Sequence, residues 1–575
     1  MKNTLFCIFR VGKLLFYESD SSRFFESAAC LAEKEQKPLL NLIFKNSVSD
    51  LQIIYLLCSG HITERFKYER SFSKSSMTLD QSISSTEYGA ARKVPESMFL
   101  LKIGGCQYLI DCGSNHEKEI DEKALPFNAQ LITHTFLTHS HMDHVGEVDN
   151  LFRSGFSGRF YSTHLTADLT RMQIFNKGIG IRIYNNSIRG KKITSGPKKG
   201  QWIPFKKNIS EADLKNLMSR FESYDDSHLG YPYNQPIKIS DEVEITFYEA
   251  GHIPGSAQIL ININHQGKKT KILTAVDLGR LDYKITNHPI ADIPIIRFPH
   301  TEFPKDIDYV VMESTNGARE HQSLEKSIEI LEESIRDAYT HKGKLIIPIF
   351  SIMRPMILRN FLYNLHKANK LPPDFMFNIG SPSIPQADQL ITEHLECMDE
   401  KAKKDFANKD YNPIKFERLA YIDKRQELID LLIKQDTPYG IIASSGMCDF
   451  GRIVLALEHG ISDPKNIILL TGYTAPGTRG YLLQNKEKRI PFGDKILDLK
   501  ADVRKMGGMS GHADWKEIVA HLKHIKDPAK GEQFKGIFLK HGDSGSCEAL
   551  KGKLIEAGYK PETVIIMEKG EEYFL

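Results

Sequence analysis

Four side chains that can bind a metal ion follow an apolar run in the segment LTHSHMDHVGE. They are His139, His141, Asp143 and His144. In an extended loop, residues two apart point the same way, so His139 and His141 can bind one ion while Asp143 and His144 turn toward another. Imidazole and carboxylate are the ligands that zinc and similar divalent ions accept in hydrolytic sites. The pattern therefore predicts a hydrolytic metal site.

Three residues farther along the chain are candidates for the remaining ligands. They are His252 in YEAGHIPGSA, Asp277 in LTAVDLGR and His541 in FLKHGD. Taken singly, a histidine after a strand is more often structural, and an aspartate before Leu-Gly-Arg is commonly a turn residue. Because all three occur in one chain with the histidine-rich loop, we expect them to complete its site.

The pattern of apolar segments around these residues predicts an α/β protein. Many short Val/Ile/Leu/Phe-rich runs of strand length alternate with helical patterns. The clearest helix is QSLEKSIEILEESIRDAYTHKG, in which Leu324, Ile328, Leu331 and Ile335 recur at helical spacing and Gly343 ends the pattern. Five polar clusters each follow directly on a strand-like run, so they can meet at one edge of a sheet. They are THSHMDH, EAGHIPGSA, VDLGR, MESTNG and LKHGD.

Composition narrows the class of protein. At 575 residues the chain is too long for one ordinary domain, and its net charge of +3 does not by itself indicate a polyanionic partner. No apolar run of about 18 residues occurs, and we expect a cytoplasmic protein without a membrane partner. The eight cysteines are scattered without a CxxC pair, which argues against a disulfide scaffold and a thiolate zinc site.

The order of these motifs resembles a known family. H-x-H-x-D-H, AGH-x-x-GSA and DLGR are similar to the metallo-β-lactamase fold. MESTNGAREH, SSGMCDFGR, GYTAPGTRG, GMSGHADW and FLKHGD resemble the RNA-processing branch of the β-CASP nucleases. The matches run from about residue 85 to 575. The resemblance implies an α/β fold, a metallo-β-lactamase αββα sandwich with an inserted β-CASP α/β domain, plus an unassigned N-terminal segment.

The domain boundaries predicted from this resemblance divide the chain into four parts. Residues 1–78 are the unassigned segment and 79–312 the first part of the metallo-β-lactamase core. Residues 313–470 would be the β-CASP domain, and 471–575 the C-terminal part of the core.

The resemblance also implies roles for individual residues. His139, His141 and His252 would bind one zinc ion, and Asp143, His144 and His541 a second, with Asp277 bridging them; other divalent metals remain candidates. Asp111 in LIDCGS would support the ligand loop from behind. Glu313 and His512 would handle the proton of the leaving group. A histidine at the position of His541 is similar to the RNA-processing members, whereas DNA-repair members carry an apolar residue there.

Several positions depart from the family pattern. Asn316 stands where the family usually has Tyr, and Val276 replaces the Gly usual before the aspartate. Met353-Arg354 replaces a more usual Gly-Arg pair, and GSPS at 380–383 only loosely matches SPMA. None of these changes removes a predicted ligand.

The function implied is a zinc-dependent phosphodiesterase that cleaves RNA by attack of a metal-activated hydroxide, leaving 5′-phosphate and 3′-hydroxyl ends. Two divalent ions about 3.5 to 4 Å apart can lower the pKa of a shared water and stabilise the charge on the phosphate. Asp143 and Asp277 would then be part of the catalytic centre together with His512 and Glu313.

Candidate substrate contacts come from two kinds of segment. The turn formed by Ser444, Ser445 and Gly446 can present backbone N–H groups to a phosphate, and Arg452 and Arg479 can pair with one. Both features are equally compatible with ordinary loops and surface charges. Residues 189–207 contain seven basic residues, no acidic ones and two aromatic rings, which indicates either an RNA-facing insertion or a solvated loop.

Three alternatives remain at this stage: a small-molecule ester or thioester hydrolase of the same fold, a DNA nuclease, and a non-catalytic β-CASP scaffold. The sequence leaves open whether cleavage is internal or proceeds from the 5′ end. It also leaves open the natural RNA and the oligomeric state, a homodimer included.

Overall fold

The computed structural model describes ten stretches of the chain. They are residues 5–10, 13–18, 82–114, 124–188, 191–192, 202–203, 209–280, 303–398, 403–404 and 412–575. The predicted basic insertion 189–207 lies outside the described residues except for the two-residue strands β8 (Lys191–Lys192) and β9 (Trp202–Ile203).

The chain divides into two units, Met1–Ser76 and Met77–Leu575. In the first unit, β1 (Leu5–Arg10) and β2 (Lys13–Glu18) form an antiparallel hairpin. Among the described residues, none of the helices combines the length and apolar character that a membrane span requires.

Two mixed sheets form the centre of the second unit. In spatial order, the seven-stranded sheet contains β10 (Pro236–Lys238), β11 (Val243–Glu249), β12 (Ala257–His265), β13 (Lys268–Ala275), β14 (Tyr309–Glu313), β23 (Gly536–Lys540) and β24 (Val564–Ile566). The six-stranded sheet contains β25 (Glu572–Phe574), β3 (Ile83–Glu87), β4 (Phe99–Ile103), β5 (Cys106–Ile110), β6 (Ile132–Phe136) and β7 (Arg159–Tyr161).

These two sheets pack face to face, and helices cover their outer faces. Phe99 and Tyr108 of one sheet share a buried apolar cluster with Phe247 and Ile261 of the other. The outer helices of this unit are α1 (Met142–Val145), α2 (Val148–Arg153), α3 (His164–Ile188), α4 (Glu211–Met218), α11 (Trp515–Ile525) and α12 (Ser544–Glu556). The predicted αββα sandwich is therefore confirmed.

The chain leaves this sandwich after β14 and returns at α11, which precedes β23, the parallel neighbour of β14. The intervening residues build a six-stranded parallel sheet of their own. In spatial order its strands are β17 (Leu419–Tyr421), β16 (Met376–Ile379), β18 (Tyr439–Ala443), β15 (Lys344–Pro348), β19 (Ile467–Leu470) and β22 (Asp502–Lys505). The predicted inserted α/β domain is thus present, and its sheet extends past residue 470, the predicted end of that domain.

Helices cover both faces of the inserted sheet. They are α5 (Leu324–Thr340), α6 (Arg354–Lys367), α7 (Ser383–Glu393), α8 (Arg425–Lys434), α9 (Ile453–Gly460) and α10 (Arg479–Gln484). A hairpin of β20 (Arg489–Phe492) and β21 (Lys495–Asp498) precedes the last strand of the sheet. The helix predicted from apolar periodicity is α5, and Ser323 caps it by accepting a hydrogen bond from the Lys326 N–H.

Strand register explains how distant residues reach one place. Ala275 pairs with Met312, and Glu313 pairs with Lys540, across parallel strands. The residues that follow these strands, Asp277 and His541, therefore leave the same edge of the sheet beside Glu313. In the other sheet, Ile110 pairs with Phe136 in the same way, which places Asp111 beside the start of the histidine-rich loop.

A charged contact joins the insert to the sandwich. His394 Nδ1 lies 2.7 Å from Glu396 Oε1, and its Nε2 lies 3.1 Å from Asp168 Oδ2 on α3. Carboxylates only accept, so both ring nitrogens must carry hydrogen. Burial alone would lower the pKa of His394, but the two carboxylates outweigh it and raise the pKa to about 9. The rings of His164 and His228 also face this imidazole.

This contact predicts a pH-dependent stability. The pKa of His394 lies near 9 when folded and near 6.5 when unfolded, so its contribution is complete below pH ~6.5 and is lost as pH rises toward ~9. The melting-temperature difference between the wild type and His394→Gln should therefore shrink from pH 6.5 to 9.5. His459→Gln, at an exposed histidine, should leave the profile unchanged. A constant difference across that range would contradict this role.

Candidate metal centre

One group of metal-binding side chains surrounds His141. His141 Nδ1 lies 3.1 Å from His139 Nε2 and 3.0 Å from His252 Nε2. Asp277 Oδ2 lies 3.3 Å from His139 Nε2 and 3.5 Å from His252 Nε2. The four candidate donor atoms all lie within 4.8 Å of one another. The structure therefore brings together His139, His141, His252 and Asp277.

A second group adjoins the first through the same aspartate. His144 Nε2 lies 3.1 Å from His541 Nε2, and Asp143 Oδ2 lies 3.6 Å from His541 Nε2. Asp277 Oδ1 lies 3.4 Å from His144 Nε2 and 3.2 Å from His541 Nδ1. One carboxylate thus presents one oxygen to each group, which is the arrangement that a ligand bridging two ions requires.

The outer nitrogens of the rings are held by fixed partners. His252 Nδ1 lies 2.9 Å from the Gly511 carbonyl, and His144 Nδ1 lies 2.7 Å from Asp111 Oδ2. A carbonyl or carboxylate oxygen accepts, so each Nδ1 carries a hydrogen and each Nε2 faces the cluster. Asp277 Oδ1 is buried, and none of the described residues donates a hydrogen bond to it. The donor set therefore fits metal ions, and these residues form a metal-binding site.

Asp111 supports the histidine-rich loop from behind. Its Oδ1 accepts hydrogen bonds from the Thr138 N–H at 2.8 Å and from Thr138 Oγ1 at 3.0 Å. Thr138 Oγ1 in turn lies 3.1 Å from His139 Nδ1. Through these contacts Asp111 orients ligands in both groups, directly for His144 and through Thr138 for His139. The supporting role of Asp111 stays a prediction, and these contacts are the ones it requires.

Three residues of the site adopt a backbone conformation that side chains usually avoid. Asp111, Asp277 and His541 have φ angles of 61°, 54° and 53°. Non-glycine residues in the left-handed region are uncommon, and they concentrate at functional sites where the surroundings hold them. Each of the three follows the end of a sandwich strand, so the turn aims its side chain at the cluster.

Burial and neighbouring charges shift the protonation of the cluster. Burial lowers the pKa of His141 and His252 well below its ordinary value, and facing imidazoles lower it further. Burial would raise the pKa of Asp277, but the histidines around it, His541 first, hold it well below the usual range. Neutral imidazoles and an ionised carboxylate are the forms that bind a metal ion.

A histidine and a glutamate lie at the edge of this cluster. His512 Nδ1 lies 2.9 Å from Glu313 Oε2, and its ring lies 4.5 Å from that of His252. The other carboxylate oxygen of Glu313 accepts the Leu278 N–H, next to Asp277. Burial alone would lower the pKa of His512, but Glu313 and Asp277 raise it to about 9. A raised pKa favours the form of His512 with hydrogen on both ring nitrogens near neutral pH.

The predicted substrate contacts lie at the carboxyl edge of the inserted parallel sheet. Ser444 follows β18, where its N–H donates to Ser381 Oγ at 2.9 Å and its hydroxyl lies 3.4 Å from Ser383 Oγ. A Cβ on Gly446 would approach the Phe350 ring to 2.5 Å, so the turn that includes Ser445 requires glycine at this position.

The two predicted phosphate-binding arginines are held by protein carbonyls. Arg452 donates to the carbonyls of Gly380, Ile422 and Asp423. Arg479 donates to the carbonyls of Pro491 and Cys448, and it stacks on a phenylalanine ring. These contacts fix the loops around the Ser-Ser-Gly turn, and phosphate binding by either arginine stays a prediction.

Two supports of the cluster were not predicted from the sequence. The Gly511 carbonyl orients His252, and backbone groups leave no mark in a sequence. Thr138 lies directly before His139 in the predicted strand end, but a threonine there has many ordinary roles. Met353, at one departure from the family pattern, has a φ of 63°. A glycine would adopt this angle without strain.

Three family models match this chain in succession. The Anti-Pycsar protein Apyc1 model matches residues 86–278. The Beta-Casp domain model matches residues 357–483. The model of the Zn-dependent metallo-hydrolase RNA specificity domain matches residues 496–567. The first lies on the sandwich, the second on the insert, and the third spans the end of the insert and the returning strand β23.

Similar proteins match over most of the chain. Ribonuclease TTHA0252 of Thermus thermophilus is 26% identical over 475 residues, covering 81% of this chain and 95% of that protein. Transcription termination factor FttA of Methanosarcina mazei is 26% identical, covering 84% and 70%. Endoribonuclease YSH1 of Yarrowia lipolytica is 24% identical, covering 81% of this chain and 51% of that protein.

The family assignment combines these matches with the geometry. The chain folds as an αββα sandwich with an α/β insert, and the metal-binding side chains meet at the sandwich edge from which that insert departs. The matches to the Beta-Casp domain and to the Zn-dependent metallo-hydrolase RNA specificity domain, together with this geometry, support a metallo-β-lactamase-fold nuclease with a β-CASP insert.

Proposed function

We propose that this protein is a ribonuclease that uses two zinc ions to cleave RNA phosphodiester bonds, leaving a 5′-phosphate and a 3′-hydroxyl. The observation that carries the proposal is Asp277, whose two carboxylate oxygens each face a separate group of histidines. Relatives named ribonuclease and endoribonuclease support RNA as the substrate class. His541 favours RNA over DNA as the substrate, since a histidine at that position resembles the RNA-processing members of the family.

The ligand roles follow from the two groups. His139, His141 and His252 would bind one ion, Asp143, His144 and His541 the other, and Asp277 both. When bound, the ions would supply hydroxide near neutral pH and stabilise the charge that builds on the phosphate. Asp111 and Thr138 keep the rings of His144 and His139 turned toward these positions.

The departing oxygen of the RNA must take up a proton, and His512 is placed to donate it. Glu313 occupies the Nδ1 side of the ring, which leaves the Nε2 hydrogen for the leaving group. Because the Glu313 carboxylate on Nδ1 favours the protonated ring, we assign His512 the role of the acid. Glu313 is itself fixed by the Leu278 N–H, so it also ties His512 to the turn that contains Asp277.

The proposed domain boundaries follow the sandwich and its insert. Residues 79–312 and the C-terminal segment would form the metal-binding sandwich, and the insert that begins at residue 313 would cover the RNA. Because β22 belongs to the inserted sheet, we place the return to the sandwich after residue 505. Residues 1–78 carry no proposed role.

Substrate class is tested with end-labelled RNA and DNA of the same sequence, incubated with zinc-loaded protein. We expect RNA fragments whose downstream products are ligated without prior phosphorylation, because cleavage leaves a 5′-phosphate. A time course with both ends labelled separates internal cuts from stepwise release at the 5′ end. Cleavage of DNA alone, or turnover of a thioester without RNA cleavage, would contradict the proposal.

Replacement of His512 tests the proton donor. His512→Ala should lower the turnover of RNA by about 10²-fold or more while the zinc content stays at the wild-type value. A suitable control is His521→Ala, because His521 is buried in α11 and bonds Gln258 rather than the cluster. Equal loss of zinc and activity in His512→Ala would assign it a structural role instead.

Replacement of Asp111 tests the orientation of the ligands. Asp111→Ala should weaken zinc binding by about 10- to 100-fold, since it frees the ring of His144 to rotate. Equilibrium dialysis against buffered zinc measures this affinity. Asp149→Ala is the matched control, because this buried carboxylate pairs with Lys177 and contacts no histidine of the cluster among the described hydrogen bonds. An unchanged affinity in Asp111→Ala would refute the supporting role.

A further inference from the structure

A lysine is buried directly beside the metal cluster. Lys540 precedes His541 at the end of β23, and neither Lys540 nor Glu87 has any exposed side-chain surface. The Lys540 ammonium contacts Glu87 Oε2 and donates to Ser97 Oγ at 2.9 Å. An ammonium group repels cations, so a lysine here needs a partner that cancels its charge. Glu87 is this partner.

Glu87 connects this pair to the backbone of His541. Its other oxygen accepts the N–H groups of Gly89 and Ala90, both at 3.0 Å, and that of Met98 at 3.1 Å. These bonds close the loop between β3 and β4. The Ala90 carbonyl then accepts the His541 N–H at 2.7 Å. The loop that Glu87 closes therefore holds the backbone of His541.

Ser97 connects the pair to the other two ligands of the same group. The Ser97 N–H donates to the Asp143 carbonyl at 2.9 Å, and the Ser97 carbonyl accepts the Gly113 N–H at 3.0 Å. Cys112 directly precedes Gly113, and its N–H donates to the His144 carbonyl at 2.7 Å. The buried pair thus reaches Asp143, His144 and His541 through short chains of hydrogen bonds.

The other group of ligands has different supports. His252 is held by the Gly511 carbonyl, and His139 by Thr138. Asp111 supports both groups, but the hydrogen bonds of Lys540, Glu87 and Ser97 lead toward Asp143, His144 and His541, so a change at the buried pair acts first on that group.

We propose that Lys540 and Glu87 are positioning residues for the metal ion bound by Asp143, His144 and His541, and that they set its affinity separately from that of the other ion. This inference rests on the two-ion function proposed above. The pair is neutral as a whole, so it fixes the three ligands without adding charge to a site that must accept cations.

The test compares two variants that each break a buried ion pair. Lys540→Met removes the ammonium near the cluster. Arg359→Met removes the guanidinium that pairs with Asp388 inside the inserted domain. Both should lower the melting temperature. Only Lys540→Met should weaken zinc binding at one position, by about 10- to 100-fold, while the second position keeps its wild-type affinity.

Equilibrium dialysis against buffered zinc, followed by metal analysis, resolves the two binding steps. His541→Ala and His252→Ala identify which step belongs to which group. If Lys540→Met does not fold, Ser97→Ala removes only the hydrogen bond from the lysine and should weaken the same step to a smaller degree.

Two results would overturn this inference alone: wild-type affinities at both steps in Lys540→Met, or an equal loss at both. In each case the wild type would still bind two ions. A wild-type protein that binds no zinc would overturn the two-ion function as well, so the two failures are distinguishable.

Discussion

The structure depends on one electrostatic constraint, which is that ring nitrogens and carboxylates converge in a buried space. Hydrogens of His144 and His252 are directed outward to Asp111 and Gly511, so their inner nitrogens face other ring nitrogens at close range. Asp277 adds an oxygen to which none of the described residues donates a hydrogen bond. Buried acceptors without donors are costly, and bound cations remove that cost. The strained backbone at Asp111, Asp277 and His541 adds to what the fold must stabilise.

Parallel strands bring side chains that are far apart in the chain to one edge of the sheet. The ends of β13, β14 and β23 are adjacent, so Asp277, Glu313 and His541 share one edge. Asp277 and His541 are nevertheless 264 positions apart in the chain (541 − 277). The insert begins and ends at that same edge. Under the proposed function, the sandwich would hold the metal ions and the inserted sheet would supply a separate surface for the polymeric substrate.

The sequence predicted the residue types of the site better than their supports. The histidine-rich loop stands out because four potential ligands are adjacent, and the strands and α5 follow from apolar periodicity. His252, Asp277 and His541 were candidates because they occur together with that loop, but their division between two ions came from the family resemblance, because spacing cannot show which strand ends meet. The carbonyl of Gly511, the positive φ angles and the burial of Lys540 depend on tertiary packing. The extent of the inserted sheet past residue 470 was missed for the same reason, since a four-residue strand at 502–505 shows no distinctive pattern.

The most direct measurement of the central claim is anomalous scattering from crystals of the zinc-loaded protein at the zinc edge. Two peaks about 3.5 to 4 Å apart are expected, with one oxygen of Asp277 bound to each. A single peak, or two peaks that Asp277 does not bridge, would contradict the two-ion cluster on which the proposed function depends.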